Sequence, residues 1–220
     1  MARRPDLTSS QVATLPRHVW GLVKGVVPPM HAAGRPFVAG ALTIGLFGWR
    51  YGWSRRTSLV AAATLALCFR EPKRVPPALV GAVVAPVDGV VTVVDEAVPP
   101  EELGLGDASL PRVGIAVSVL DPYVHRAPVA GRVAFAAADG SALLVETAED
   151  VAIGLVQTPA NLAGRITCDV EVGQDVTLGQ TYALVRFGSR VEVYLPAGSA
   201  IRPLVGQRTV GGETVLAVLG

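Results

Sequence analysis

From Val80 to the C-terminus, apolar residues recur mostly at every second position, the period of strands that bury one face. The clearest run is 184–196. There Val185, Phe187, Val191, Val193 and Leu195 alternate with Arg186, Arg190, Glu192 and Tyr194. One β-ribbon is predicted, interrupted at Gly188-Ser189. Two strand-like runs flank Pro86-Val87-Asp88-Gly89, a turn sequence of the kind that joins hairpin strands. Residues 113–120 form a continuous apolar run, the pattern of a buried strand. Segments 172–179 and 205–212 share the order strand, glycine turn, strand, which predicts internal pseudo-symmetry.

The first third of the chain has another period. Leu15, Val19, Leu22, Val23 and Val26 recur at helical spacing, so 10–27 is predicted to be an amphipathic helix. Residues 36–49 and 59–69 are free of charge over fourteen and eleven positions. Each falls short of the roughly 20 residues that cross a bilayer. Arg35 precedes them, Arg50, Arg55 and Arg56 lie between, and Arg70, Lys73 and Arg74 follow. Basic residues on every side do not suit two ordinary spans. The expectation is a helical hairpin dipping into one leaflet, with Trp49, Tyr51 and Trp53 at the interface. The predicted architecture is therefore mainly β. Residues 75–220 form a small barrel-like β-sandwich with pseudo-symmetric, lipoyl-like halves, behind membrane-associated helices over 1–74.

Charge sharpens this division. The formal net charge of +1 hides eleven Lys/Arg against two acids in 1–74, and eight Arg against sixteen acids in 75–220. A basic segment that is also the greasy one fits an anionic membrane surface better than nucleic acid. Cys68 and Cys168 have no metal-ligand or redox spacing and read as two thiols of a reducing compartment. The only lysines, Lys24 and Lys73, precede the β-rich part. A lipoyl or biotin carrier and a pyridoxal-phosphate enzyme, which need a lysine there, are disfavoured. A serine hydrolase is disfavoured too, because no Gly-x-Ser-x-Gly elbow and no alternating β/α units are present. One histidine in the β-rich part and no clustered ligands argue against a metal enzyme.

Three places carry candidate chemistry. Gly188-Ser189 reads either as a glycine bend or as a bond that Ser189 cleaves by attacking the Gly188 carbonyl. In the second case Ser189 ends as a pyruvoyl group, a ketone that draws electrons out of a bound amine. His125 is one of three histidines and shares its segment with Asp121 and Arg126, an environment that suits proton transfer. Asp88 is the only charge in its apolar stretch.

In this order, these motifs resemble the short prokaryotic type of phosphatidylserine decarboxylase over most of the chain. Phe69-Arg70-Glu71-Pro72-Lys73-Arg74 is similar to that family's Phe-Arg-Asp-Pro-x-Arg. Ala85-Pro86-Val87-Asp88-Gly89 is similar to its Ala-x-Asp-Gly, and Arg126-Ala127-Pro128-Val129-Ala130-Gly131 to its Arg-Ala-Pro-x-x-Gly. Phe187-Gly188-Ser189-Arg190 followed by Tyr194-Leu195-Pro196 resembles its processing site. The resemblance implies an enzyme made as a zymogen and cut autocatalytically between Gly188 and Ser189. The pyruvoyl cofactor then derives from Ser189. Asp88 orients a histidine that activates Ser189, by triad logic, and phosphatidylserine loses carbon dioxide to give phosphatidylethanolamine. Arg126, Arg190 and Tyr123 are candidate substrate contacts, since an arginine fork suits a lipid phosphate. Membrane lipids are the expected partners, the two cleavage products are expected to stay associated, and a homodimer is compatible with this. The expected location is the cytoplasmic face of the cell membrane, peripheral or monotopic. The chain also departs from the pattern. Where the family has the histidine of Asp-x-His-Val-x-Arg-Ala-Pro, this sequence has Tyr123, and its histidine comes two residues later. Positions two apart in an extended segment share a face, here about 6–7 Å along it. The family's Asn-Glu-Arg segment has no counterpart. Its Gln-Ile-Ala-Gly-x-x-Ala-Arg-Arg-Ile stretch survives loosely from Gln157 to Ile166. The alternative reading is a non-catalytic relative serving as a membrane-tethered lipid-binding or scaffold β-module.

Overall fold

The computed structural model describes residues 30–47, 55–160, 165–186 and 188–220. The expected helix over 10–27, the aromatic residues Trp49, Tyr51 and Trp53, and Phe187 lie outside them. After a 3-10 turn at Ala32–Gly34 come helices α1 (Arg35–Phe47) and α2 (Arg55–Cys68), which pack on each other. Among the described residues thirteen strands follow: β1 (Ala82–Val84), β2 (Gly89–Ala97), β3 (Leu110–Val117), β4 (Val124–Arg126), β5 (Gly131–Ala136), β6 (Ala142–Glu146), β7 (Ala152–Pro159), β8 (Ile166–Cys168), β9 (Asp175–Val176), β10 (Thr181–Val185), β11 (Ser189–Tyr194), β12 (Arg208–Thr209) and β13 (Val215–Val218). The protein is mainly β, as its period-two patterning predicts.

Eight strands form one sheet in the order β12-β2-β3-β11-β7-β6-β5-β9. Each neighbouring pair in it is antiparallel. Two smaller sheets accompany it, β4-β10-β8 and β1-β13. Among the described residues, no strand pairing joins β12 to β9 and closes the large sheet. The alternating inward residues Val113, Ile115, Val191, Val193, Ile153 and Leu155 meet Val83, Tyr182, Ala183 and Leu216 of the small sheets in one fully buried core. The outer face near Tyr194 is covered by Leu103, from the polar loop after β2.

Two stretches that read as single units are divided between sheets. Asp88-Gly89 does not close a hairpin, because β1 pairs with β13 while β2 pairs with β3. The ribbon over 184–196 is likewise two strands, β10 in the three-stranded sheet and β11 in the large one. The strand expected over 113–120 stops at Val117. Val119 and Leu120 beyond it are more than half exposed, at 53% and 64%.

The pseudo-symmetry is visible in the hydrogen bonds. Val84 N–H donates to Pro128 O at 2.8 Å, and Arg126 N–H donates to Pro86 O at 2.8 Å. Gly212 N–H reaches Ala85 O and Gly179 N–H reaches Ala127 O, at 2.8 and 2.9 Å. Gly206 N–H reaches Val91 O and Gly173 N–H reaches Val133 O, both at 2.8 Å. The exchange relates 205–212 to 172–179, as expected. It also relates Ala85-Pro86-Val87-Asp88-Gly89 to Ala127-Pro128-Val129-Ala130-Gly131, a repeat that differs in one residue. Proline lacks an N–H donor, so in both copies the chain offers its carbonyl at that position and takes a donor from across the axis.

The helical pair docks on this body through its C-terminal end. Phe69 is fully buried, stacked on Phe37 and edge-on to Tyr123, with ring centroids 5.3 Å away in each case. Tyr123 N–H donates to Cys68 O at 3.0 Å, and the Tyr123 hydroxyl and Cys68 thiol both donate to Val119 O. The following hinge is tied by Arg126, whose two terminal nitrogens donate to Gly179 O and Pro72 O at 2.9 and 2.8 Å. Emptying the Phe69 site removes a large aromatic from between Phe37 and Tyr123. Phe69→Ala is expected to lower stability by about 3–5 kcal/mol, read as a fall in the urea midpoint with the slope unchanged.

Candidate active site

The chain passes from the three-stranded sheet to the large one between Val185 and Ser189, and the turn is made at Gly188. Its φ of +79° lies in the left-handed region, and a Cβ there would stand 3.1 Å from Val117 O. Both facts select glycine. The Gly188 carbonyl accepts from Ala160 N–H at 3.1 Å. A scissile carbonyl at this position is thus already held by a backbone donor, the arrangement that stabilises a developing oxyanion. Ser189 opens β11, between Val117 of β3 and Pro159 of β7, and is 4% exposed.

His125 reaches Ser189 from the sheet above. It sits on β4 opposite Ala183 of β10 and is fully buried. Its Nε2 is 3.5 Å from the Ser189 hydroxyl oxygen, a long hydrogen bond of the kind that tightens when a reacting group arrives. Burial pushes the proton affinity of His125 down to a pKa of about 4, partly opposed by the adjacent Gln157 amide. The ring is therefore neutral near pH 7 and free to accept a proton. Tyr182 lies edge-on to it at 6.4 Å between centroids. Burial raises the ionisation of that phenol far above its usual range, so it too is neutral.

Of the residues expected to act, the structure brings Ser189 and His125 together beside Gly188. Asp88 stands elsewhere. One of its oxygens accepts from Arg74 at 2.6 Å and the other from Gly211 N–H at 2.7 Å. The reason is strand alternation: His125 and Arg126 are consecutive and face opposite sides. Asp88 belongs to the polar group around Arg126, with Glu71, Arg74 and Glu213. No bond joins Asp88 to the histidine it was expected to orient. Tyr123 is in the aromatic cluster that docks the helices. Arg126 spends its terminal nitrogens on two backbone carbonyls, and Arg190 is exposed, between Ala116 and Thr158 on the neighbouring strands.

Two participants were not singled out from sequence. The Ala160 N–H has no side-chain signature. Gln157 has one: it follows Ile153 and Leu155 on the inward face of β7, a polar residue where the pattern demands an apolar one. It is 2% exposed.

A buried serine next to a left-handed glycine, facing a neutral histidine within a mainly β framework, pairs a hydroxyl with a proton acceptor. The comparisons with known proteins give the family. The sequence model described as phosphatidylserine decarboxylase matches residues 134–217. The phosphatidylserine decarboxylase proenzyme of Mycobacterium ulcerans is 46% identical over 239 aligned residues, covering all of both chains. That of Rhodococcus jostii is 46% identical over 236, again covering both fully. That of Mycobacterium tuberculosis is 47% identical over 234, covering 99% of each. This chain belongs to the phosphatidylserine decarboxylase family. Among solved structures, the glucose permease IIA from Mycoplasma capricolum is similar at 22% identity and a TM-score of 0.41, over 62% of this chain and 93% of that one. That likeness is too slight to carry weight.

A histidine held neutral by burial makes stability depend on pH. Its folded pKa of about 4 lies below the unfolded value of about 6.5. The unfolded chain therefore binds more protons between these values, and stability falls as pH drops from about 6.5 to about 4. In a Ser189→Ala background, the loss across this window should exceed that of the Ser189→Ala/His125→Gln double variant by on the order of 3 kcal/mol. Urea titrations at pH 7, 5.5 and 4 measure it.

Proposed function

We propose that this protein decarboxylates phosphatidylserine to phosphatidylethanolamine, after cleaving its own Gly188–Ser189 bond and converting Ser189 to a pyruvoyl group. The observation that carries the reading is the 3.5 Å approach of the buried His125 Nε2 to the Ser189 hydroxyl, at a glycine carbonyl already held by Ala160. Family membership gives the substrate: the relatives are named phosphatidylserine decarboxylase proenzymes.

The self-cleavage proceeds as a transfer of the Gly188 acyl group from nitrogen to oxygen, followed by elimination. His125 Nε2 takes the hydroxyl proton as the Ser189 oxygen attacks the Gly188 carbonyl carbon. The proton passes to the Ser189 nitrogen as the C–N bond breaks, leaving an ester and a free amine. His125, neutral again, takes the Ser189 α-proton as the Gly188 carboxylate is expelled, leaving a dehydroalanine. Return of that proton to the β-carbon gives an imine that water hydrolyses, releasing ammonia and a pyruvoyl end. The surroundings fit such an uncharged ketone, since His125, Gln157 and Tyr182 are all buried, polar and neutral. A pyruvoyl group at position 189 supplies a carbonyl that takes up the head-group amine and accepts the electrons left when carbon dioxide departs. In this reading β11 stays between β3 and β7 after the cut, which supports continued association of the two products.

The helices supply the membrane side of the proposal. Leu46, Phe47, Leu59 and Val60 are 60–72% exposed on a pair flanked by basic residues. No described helix is long and apolar enough to cross a membrane. An apolar pair that cannot span is read as an anchor in one leaflet, on the cytoplasmic side. Phe37, at its base, packs under Phe69 and the Arg186 guanidinium, so a lipid beside the anchor would present its head group near 186–189.

Two measurements test this. Intact mass of the detergent-purified protein should give a fragment ending at Gly188 and one beginning with pyruvoyl. Ser189→Ala and His125→Ala should each give a single full-length mass. A full-length mass for the unaltered protein would overturn the enzyme reading and favour the membrane-tethered, non-catalytic one. For the anchor, Leu46→Glu/Val60→Glu should lose most of its sedimentation with vesicles containing phosphatidylglycerol, with the β-rich part still folded. Unchanged sedimentation sinks the anchor.

A further inference from the structure

We propose that Gln157 is the positioning residue for His125, filling with a neutral amide the role that Asp88 does not reach. This inference rests on the self-cleavage reading and deepens it.

Gln157 lies on β7 opposite Val191, and Ser189 lies opposite Pro159. Gln157 and Ser189 are therefore diagonal neighbours on the same inward face of two paired strands. His125 stands over that face from β4. The amide of Gln157 has only one admissible orientation. Its Nε2 donates to Gly140 O at 2.9 Å, and a carbonyl can only accept, so the nitrogen must be at that end. The Oε1 is turned the other way. It is buried without a partner, and so is His125 Nδ1. Two orphaned polar atoms, one an obligate acceptor and one able to donate, lie in adjoining buried side chains. Each carries the desolvation cost of a buried polar group with no partner, which a hydrogen bond between them would relieve. The adjacent amide also favours the protonated ring, the direction expected when it accepts from the imidazole.

The consequence is a tautomer. With Nδ1–H directed at Gln157 Oε1, the lone pair of the ring lies on Nε2, which faces the Ser189 hydroxyl. When Nε2 takes that proton, the positive charge is shared with the amide oxygen through the Nδ1–H bond. The charge is released when the proton passes on to the Ser189 nitrogen. A neutral partner suits this place. A carboxylate at full burial would need a permanent counter-charge, and burial and the Gln157 amide are the influences acting on the ring among the described residues. The other titratable groups on the strands beside it are the Tyr182 phenol of β10 and the Cys168 thiol of β8.

The test uses the full chain, expressed uncut in a short pulse, with cleavage followed by intact mass from pH 3.5 to 8.5. Gln157→Leu keeps the volume and removes the acceptor. It should slow cleavage about tenfold, the equivalent of one buried neutral hydrogen bond. Gln157→Glu keeps the shape and places a carboxylate on Nδ1, which raises the histidine's proton affinity. The acid limb of its cleavage profile should move up by at least about one pH unit. Should Gln157→Leu fail to fold, Gln157→Glu alone decides. An unshifted profile for Gln157→Glu overturns the proposal, whatever its rate, because a purely structural glutamine changes amount and not pH dependence. Wild-type cleavage by Gln157→Leu overturns it as well. In both cases the self-cleavage reading survives so long as His125→Ala remains uncut. If the unaltered chain stays whole, or His125→Ala is cut normally, the underlying reading fails instead.

Discussion

The reciprocal pair of backbone bonds between Val84 and Pro128, and between Arg126 and Pro86, is what the rest of the structure hangs from. It crosses the centre of the molecule where Ala-Pro-Val-x-Gly meets its own copy. Each such bond is modest by itself. Their joint effect is to fix β1 and β4 side by side over the core, and every functional feature follows from the placing of β4. Arg126 is pinned on one side, where it ties the hinge of the helices. Consecutive residues on a strand face opposite ways, so His125 has to point to the other side, into the core and at Ser189. The residue that ties the hinge and the residue that meets the serine are positioned by one amide group.

Much of this was legible from residue pattern. The strand-rich body, the apolar helical pair, the glycine at the Gly188 bend and the candidacy of Ser189 and His125, which the structure brings within 3.5 Å of each other, follow from period, turn chemistry and the scarcity of histidine. What was not legible depended on which strands pair. Alternation along 184–196 is the same whether the run is one strand or two strands in different sheets, because periodicity records facing and not partners. Asp88-Gly89 has hairpin chemistry in a place where the flanking strands go to different sheets. Asp88 itself was matched to a histidine by motif order, whereas its carboxylate is claimed by Arg74 and Gly211. Gln157 was the reverse case, a polar residue on an inward face whose meaning appears only when β4 is seen above it.

Tyr123, at the position where the motif it resembles has a histidine, has a physical account of its own. Tyr123 is 2% exposed, packs against Phe69 and donates its hydroxyl to Val119 O at 2.9 Å. Its ring strengthens the joint between helices and body at a position where a histidine would put a second titratable group under the aromatic cluster. The chain thus separates two duties by two residues: Tyr123 holds the helices, and His125 faces the serine.

The internal duplication has a further consequence for how such a protein can be taken apart. A cut after Gly188 leaves 85–91, 127–133 and 172–179 on one polypeptide and 205–212 on another, although the four belong to a single symmetric hub. The uncut chain assembles that hub as a unimolecular event, with the segments held at the high effective concentration that a shared chain provides. Once the bond is gone, the folded form is a complex of two polypeptides, and regaining it from the unfolded state requires a bimolecular encounter. The cut form would thus owe its persistence to the height of its unfolding barrier rather than to an easy way back. For a chain cut in this way maturation would be a one-way passage, its shape kept from a continuity that the cut removes.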